Sequence, residues 1–190
     1  MSARACLLPI LLLVASPWLL QAGGAQDPPA RQAPVLVFLL RHAEAATASA
    51  TPRDPELSPA GAARAKALAR LLGDAGATHL WASQLQRTQA TLTPLAAVTG
   101  VGVGVIEAQD AEAQLAALRA LPAGAVAVVC GHSNTIPALV EGLGGSVAGL
   151  ESDPRNGRTL HHDSYDRLFL VTLPRTAQAA VRSVELRYGE

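Results

Sequence analysis

From Val35 onward the chain alternates short apolar runs with amphipathic segments, and this alternation restricts the fold more than any other feature. Runs at 35–40, 78–82, 101–106 and 125–130 are predicted strands, and segments 58–72, 88–98, 111–118 and 134–143 are predicted helices. Strand followed by helix, four times over, requires crossover connections. Those crossovers produce a mostly parallel sheet with helices on both faces, so the expected architecture is a three-layer α/β sandwich around a mixed sheet. Two helices are well signalled. Ser58 is a good N-cap with Pro59 at the first helical position, and Ala65, Leu68, Ala69 and Leu72 recur on one face. Ser133 or Asn134 caps the fourth helix, where Pro137 fits the first turn and Ile136, Leu139, Val140 and Leu143 form the buried stripe. Pro94 is expected to kink the second helix or delay its start. Residues 144–164 read as a long loop, and 167–173 and 181–188 as two last strands forming a hairpin.

Residues 1–25 are not expected to join that fold. A short basic start, an apolar run at 7–20 broken by Pro9 and Pro17, and small residues Gly23, Gly24 and Ala25 have the order of a secretory signal peptide. The run falls short of the roughly 20 residues that span a bilayer. Residues 26–34, rich in Pro and polar residues, read as a linker, and 35–190 as one domain. Cleavage after Ala25 would remove Cys6 and leave Cys130 alone, which excludes an internal disulfide and fits a buried, inert thiol. Lys plus Arg and Asp plus Glu both total 15, so charge indicates no nucleic-acid partner. The expected location is outside the cytoplasm, periplasmic or secreted, with no span left after cleavage.

In an open α/β sheet, ligands sit beyond the carboxyl ends of the strands. Arg41, His42, Ala43 and Glu44 follow the first strand, 83–87 the second, 107–110 the third, and Gly131, His132, Ser133 and Asn134 the fourth. Phosphoryl transfer needs an in-line nucleophile and fixed positive charge around three oxygens. Arg41 and Arg87 suit the second task, since a guanidinium holds two oxygens at once and stays charged. His42 suits the first, because two neighbouring guanidiniums disfavour a further proton and keep its imidazole neutral. The helix starting at Asn134 adds backbone N–H groups aimed at an anion.

Arg41-His42-Ala43-Glu44, Leu57-Ser58-Pro59-Ala60-Gly61 with Ala65, Ser83…Arg87-Thr88…Thr91, and Gly131-His132-Ser133 together resemble the histidine phosphatase superfamily, also called phosphoglycerate mutase-like. The resemblance implies that fold, and a phosphatase hydrolysing a phosphomonoester, small-molecule or protein, through a phosphohistidine on His42. It implies that Arg41, Arg87 and His132 bind the phosphoryl group, and that neither metal nor cofactor is used. A mutase-type phosphotransferase is the alternative within the family. The family's first motif usually reads Arg-His-Gly, and Ala43 stands in the glycine place. In much of the family a carboxylic acid after the third strand protonates the leaving group, which leaves Glu107 and Asp110 as candidates. Asp110 is explained as the N-cap of the helix at Ala111, so Glu107 is preferred.

Rival readings use other residues. Ser133 on a strand-to-helix turn, with Asp153 and His161 after it, has the chain order of a serine esterase, but Thr135 replaces the final glycine of the nucleophile elbow. A non-catalytic module binding a phosphorylated ligand would not need both histidines and both arginines intact. His161, His162 and Asp163 read as a solvated loop, not as metal ligands, and His79 as a partly buried strand-edge residue. No Gly-x-x-x-x-Gly-Lys occurs, which argues against a P-loop. If the signal reading is right, the intact mass of natively exported protein corresponds to a chain starting at or near Gln26; a cytosolic chain retaining residues 1–25 would refute it.

Overall fold

The computed structural model describes residues 33–189 apart from Pro52 and Ala177. The expected signal peptide and nearly all of the 26–34 linker lie outside the described residues. No helix among the described residues is long and apolar enough to cross a membrane.

The main sheet has six strands in the order β3-β2-β4-β1-β7-β8. These are β1 (Val35–Arg41), β2 (His79–Ala82), β3 (Val103–Val105), β4 (Val126–Gly131), β7 (Arg167–Leu173) and β8 (Arg182–Arg187). The pairs β3/β2, β2/β4 and β4/β1 are parallel, while β7 runs antiparallel to β1 and β8 antiparallel to β7. This is the mixed, mostly parallel sheet that the alternation implies. Every residue of β4 is buried, as expected of a strand covered on both faces.

Alternate residues of β1 feed two separate cores. Val35, Val37 and Leu39 pack with Leu118 of α3 (Ala111–Ala120) and with Ile136, Leu139 and Val140 of α4 (Thr135–Gly142). Phe38 and Leu40 pack with Leu68, Ala69 and Leu72 of α1 (Pro59–Leu72) and with Leu92 and Leu95 of α2 (Gln86–Thr99). Helices α1 and α2 therefore cover one face, α3 and α4 the other. The period-2 geometry of a strand makes this division unavoidable once both faces are apolar.

Three local expectations are corrected. Helix α2 does not start late: it runs from Gln86 to Thr99 with Pro94 inside. A mid-helix proline costs about 3 kcal/mol, and the buried stripe of Thr88, Thr91, Leu92 and Leu95 outweighs it. The stretch after Gly144 is not all loop, because β5 (Glu151–Asp153) and β6 (Gly157–Thr159) form a small separate hairpin. Its turn is held by the Asp153 carboxylate, which accepts from the backbone N–H groups of Arg155 and Asn156. Short, polar and mostly exposed strands carry no hydrophobic period, so nothing in the pattern marked them. His79 is half-buried as expected, but β2 is an interior strand, not an edge.

Ser58 caps α1 as its position requires, its hydroxyl accepting from the N–H of Gly61 at 3.1 Å. Gly61 is needed for close approach: a Cβ there would collide with the backbone carbonyl oxygen of Glu44, which already accepts from the N–H of Ser58 at 2.9 Å. That contact ties the start of α1 to the segment just after His42. Gly61→Ala should therefore lower stability by roughly 1–3 kcal/mol, read as a shift of the urea midpoint at unchanged m. An unshifted midpoint would show that the two segments separate without cost.

Candidate active site

The parallel register of β1 and β4 pairs Leu40 with Cys130 and Arg41 with Gly131. The next residues, His42 and His132, therefore leave adjacent strands side by side, and the N–H of His42 donates to the carbonyl of Gly131 at 2.9 Å. Their ring centroids are 5.4 Å apart. Gly131 lets α4 close over this pair, since a Cβ would press on Thr135 Oγ1 at 2.7 Å and Ile136 Cδ1 at 2.9 Å. Thr135 Oγ1 in turn accepts from the N–H of His132 at 2.8 Å.

The protonation of His42 follows from its neighbour. Nδ1 lies 2.8 Å from the carbonyl oxygen of Ala43, and a carbonyl can only accept, so Nδ1 carries the proton and Nε2 keeps its lone pair. Burial is the largest influence on its basicity and lowers the pKa to about 3, with Arg41, Arg87 and His132 adding in the same direction against the Ala43 bond. The pKa of His132 is lowered to about 4, by burial first and then by Arg87 and Arg41, with Asp54 opposing. The guanidiniums thus act as the sequence implies, but desolvation is the stronger cause.

Arg41 is held from the far end of the chain. Its Nη1 donates to the carbonyls of His161 at 3.2 Å, His162 at 2.7 Å and Ser164 at 3.4 Å. Its Nη2 donates to Tyr165 Oη at 3.2 Å, and the guanidinium lies 4.0 Å from the centre of the Tyr165 ring. The buried Nε–H finds no partner among the described residues, leaving a donor for an anion. Arg87 donates to Asp54 Oδ1 at 3.3 Å, and the same carboxylate accepts from the Gln86 N–H at the start of α2. Ser83 Oγ bridges Thr88 Oγ1 at 2.9 Å and His132 Nε2 at 3.0 Å. Thr91 Oγ1 accepts from the Ala43 N–H at 3.0 Å. The chain thus brings His42, His132, Arg41 and Arg87 together at the carboxyl ends of β1, β4 and β2.

Glu107 is not brought to this group. It is exposed, and the wall of the cavity beside Arg87 and His132 is formed by Ala108 and Gln109 instead. Asp110 caps α3, accepting from the Ala113 N–H at 2.9 Å. Asp54 and Tyr165 were missed in the sequence, where the first lies in a loop without periodicity and the second just ahead of β7. No relay forms from Ser133, Asp153 and His161, because Asp153 is occupied by its hairpin turn and His161 Nε2 faces Glu151 at 3.5 Å. Glu151, His161 and His162 place one potential metal-ligand atom each within 4.8 Å of one another, all exposed. Cys130 is fully buried and its thiol is pushed well above the ordinary range, in keeping with an inert role.

The model of the histidine phosphatase superfamily, branch 1, matches residues 37–110. The fold is that of solved histidine phosphatase structures. A candidate phosphohistidine phosphatase SixA from Agrobacterium tumefaciens is 22% identical, with 80% of this chain and 96% of that one covered at a TM-score of 0.56. The protein histidine phosphatase SixA in complex with tungstate is 18% identical over 82% of this chain and 96% of its own, at 0.59. A mycobacterial glucosyl-3-phosphoglycerate phosphatase is 17% identical over 81% and 98%, at 0.54. At such identities the likeness establishes the fold. No curated protein matches the sequence. The matched segment contains Arg41, His42 and Arg87, while His132 lies beyond it.

With folded pKa values of about 3 and about 4 against roughly 6.5 in the unfolded chain, the unfolded state takes up protons first as pH falls. Both imidazoles should stay neutral in an NMR titration from pH 8 to about 5, and the stability contributed by their neutrality should be lost progressively below about pH 6.5. Titration of either ring near pH 6.5 would refute the burial argument.

Proposed function

We propose that this chain is a phosphatase that hydrolyses a phosphomonoester through a phosphohistidine on Nε2 of His42. The observation that carries the reading is the Nδ1–H bond of His42 to the Ala43 carbonyl, which directs the free lone pair to Nε2 beside two arginines and a second neutral histidine. In the first step the Nε2 lone pair forms a bond to phosphorus and the bond to the ester oxygen breaks, the departing oxygen taking a proton from solvent, which the attacking water returns in the second step. In the second, water attacks phosphorus, the P–N bond breaks, and phosphate is released. Arg41 and Arg87 neutralise the non-bridging oxygens as charge shifts among them, the task that a metal performs in other phosphoryl-transfer sites. The unpartnered Nε–H of Arg41 fits such an oxygen. His132, hydrogen-bonded to Ser83 at 3.0 Å, is a further donor to the phosphoryl group.

The match to the histidine phosphatase superfamily supports the phosphatase reading, and the likeness of the fold to solved phosphatases supports hydrolysis over mutase chemistry. The basic start and apolar run of residues 1–20 support action outside the cytoplasm after cleavage.

His42→Ala should lower kcat by at least about 10³-fold. Wild-type protein quenched during turnover should carry a base-stable, acid-labile phosphate on His42, and Ser133→Ala should be labelled equally. Label on Ser133, or turnover by His42→Ala at the wild-type rate, would overturn the proposal.

A further inference from the structure

Two buried hydroxyls, Ser83 directly after β2 and Thr88 in the first turn of α2, have no part in the chemistry assigned so far. They form a chain of contacts that ends on a site histidine. Thr88 Oγ1 is 2.9 Å from Ser83 Oγ, and Ser83 Oγ is 3.0 Å from Nε2 of His132. Each hydroxyl has one hydrogen to give and two lone pairs to receive, so the other contacts at each oxygen fix the direction of the chain.

Thr88 Oγ1 lies 2.7 Å from the Leu85 carbonyl oxygen and 3.0 Å from that of Ser83, and carbonyls only accept. Its hydrogen is therefore spent on the backbone. The 2.9 Å contact between the two hydroxyls then takes its hydrogen from Ser83, which donates to Thr88. With that hydrogen used, Ser83 Oγ accepts from the Leu85 N–H at 3.3 Å and, through its second lone pair, from His132. Nε2 of His132 thus carries a hydrogen. The opposite assignment, with Ser83 donating to His132, leaves either the Ser83–Thr88 pair or the Thr88–Leu85 pair of oxygens in contact with no hydrogen between them.

His132 is neutral in the free protein, since burial and the guanidiniums of Arg87 and Arg41 lower its pKa to about 4 against the opposing charge of Asp54. His42, whose ring centroid is 5.4 Å away, is neutral as well. Asn134 and Thr135 at the start of α4 add no charge. A neutral imidazole with its hydrogen on Nε2 keeps a lone pair on Nδ1. The two ring nitrogens point in different directions, so with Nε2 turned to Ser83, Nδ1 is the nitrogen left for the cavity that His132 lines with Arg87. Phosphoryl oxygens are themselves acceptors, and two acceptors meet favourably only with a proton between them.

We infer that Thr88 and Ser83 are positioning residues that hold His132 as the Nε2–H tautomer, so that the phosphoryl group is bound together with a proton taken up by Nδ1. The inference rests on the phosphatase reading above and specifies how that same site takes its anion. A monoanionic monoester brings the proton on a phosphoryl oxygen, and a dianion is joined by one from solvent. In both cases the proton passes to Nδ1, no other bond changes, and the imidazolium donates back to the phosphoryl oxygen. His132 is thus a donor to the phosphoryl group only once that group is bound. The negative charge of the bound group favours this transfer, because it offsets the two guanidiniums that help keep the free imidazole neutral.

Nitrogen NMR of the free protein near neutral pH, which distinguishes a protonated ring nitrogen from a bare one, should find the hydrogen of His132 on Nε2. Calorimetry of inorganic phosphate binding at about pH 8, in two buffers of different ionisation enthalpy, should show uptake of about one proton per phosphate bound. Thr88→Val keeps the shape but not the hydroxyl, so the Ser83 hydroxyl should turn to Nε2, move the ring hydrogen to Nδ1 and cut the proton uptake by about half or more. Thr88→Ser should behave as the wild type. A hydrogen on Nδ1 in the free wild type, phosphate bound without proton uptake, or an unchanged tautomer in Thr88→Val would each overturn the inference, and turnover of p-nitrophenyl phosphate would leave the phosphatase reading standing. The two wild-type measurements decide the inference if Thr88→Val does not fold. Failure of the wild type both to bind phosphate and to turn over p-nitrophenyl phosphate would overturn the phosphatase reading, and this inference with it.

Discussion

The pairing of β1 with β4 is the interaction on which the site depends. Two strands far apart in sequence lie adjacent and parallel, in a register that ends with Arg41 opposite Gly131. Because parallel neighbours finish at the same edge, His42 and His132 emerge together, and the crossovers between them deliver Ser83 and Arg87 to the same edge from β2. A slip of one residue would turn the two core faces of β1 inside out as well as parting the histidines, so the apolar alternation that feeds both cores also protects the geometry of the site.

That geometry explains how two imidazoles remain neutral beside two arginines. Burial removes water that would stabilise the imidazolium, and two guanidiniums oppose any further positive charge. The arginines themselves are restrained by different means. Arg41 is held by three carbonyls and a tyrosine from the 161–165 segment, which are neutral partners that leave its charge available. Arg87 shares its charge with Asp54, a carboxylate that also receives the first N–H of α2 and so fixes where the arginine's helix begins. The candidate site thus draws on both ends of the domain, although His42 and Arg41 are consecutive in the chain.

Much of this was legible from residues alone, for a physical reason in each case. The four central strands and four helices carry strong periodicity, Ser58 and Asp110 stand where a cap is required, and both do cap. The four candidate phosphate residues could be placed because each lies within five residues of the end of a predicted strand. Features with no local signal were not found. Asp54 sits in irregular chain, Tyr165 looks like an ordinary residue before a strand, and the β5–β6 hairpin is too short and polar to show a period. Pro94 did not delay the start of α2, because helix propensity is local, whereas the burial of α2 against the sheet is not.

What the amino-acid sequence determines by itself is the alternation that forces a two-faced α/β sheet, and the identity of the reactive groups at its strand ends. Both rest on interactions between residues close in the chain or on the chemistry of single side chains. What only the tertiary structure decided is which of those groups share a site. It drew His42, His132, Arg41 and Arg87 together, left Glu107 exposed, and recruited Asp54 and Tyr165 from separate segments. Such contacts join segments whose separation along the chain carries no information about their distance in space; strand order and register set that distance, and both follow from burying two apolar faces at once.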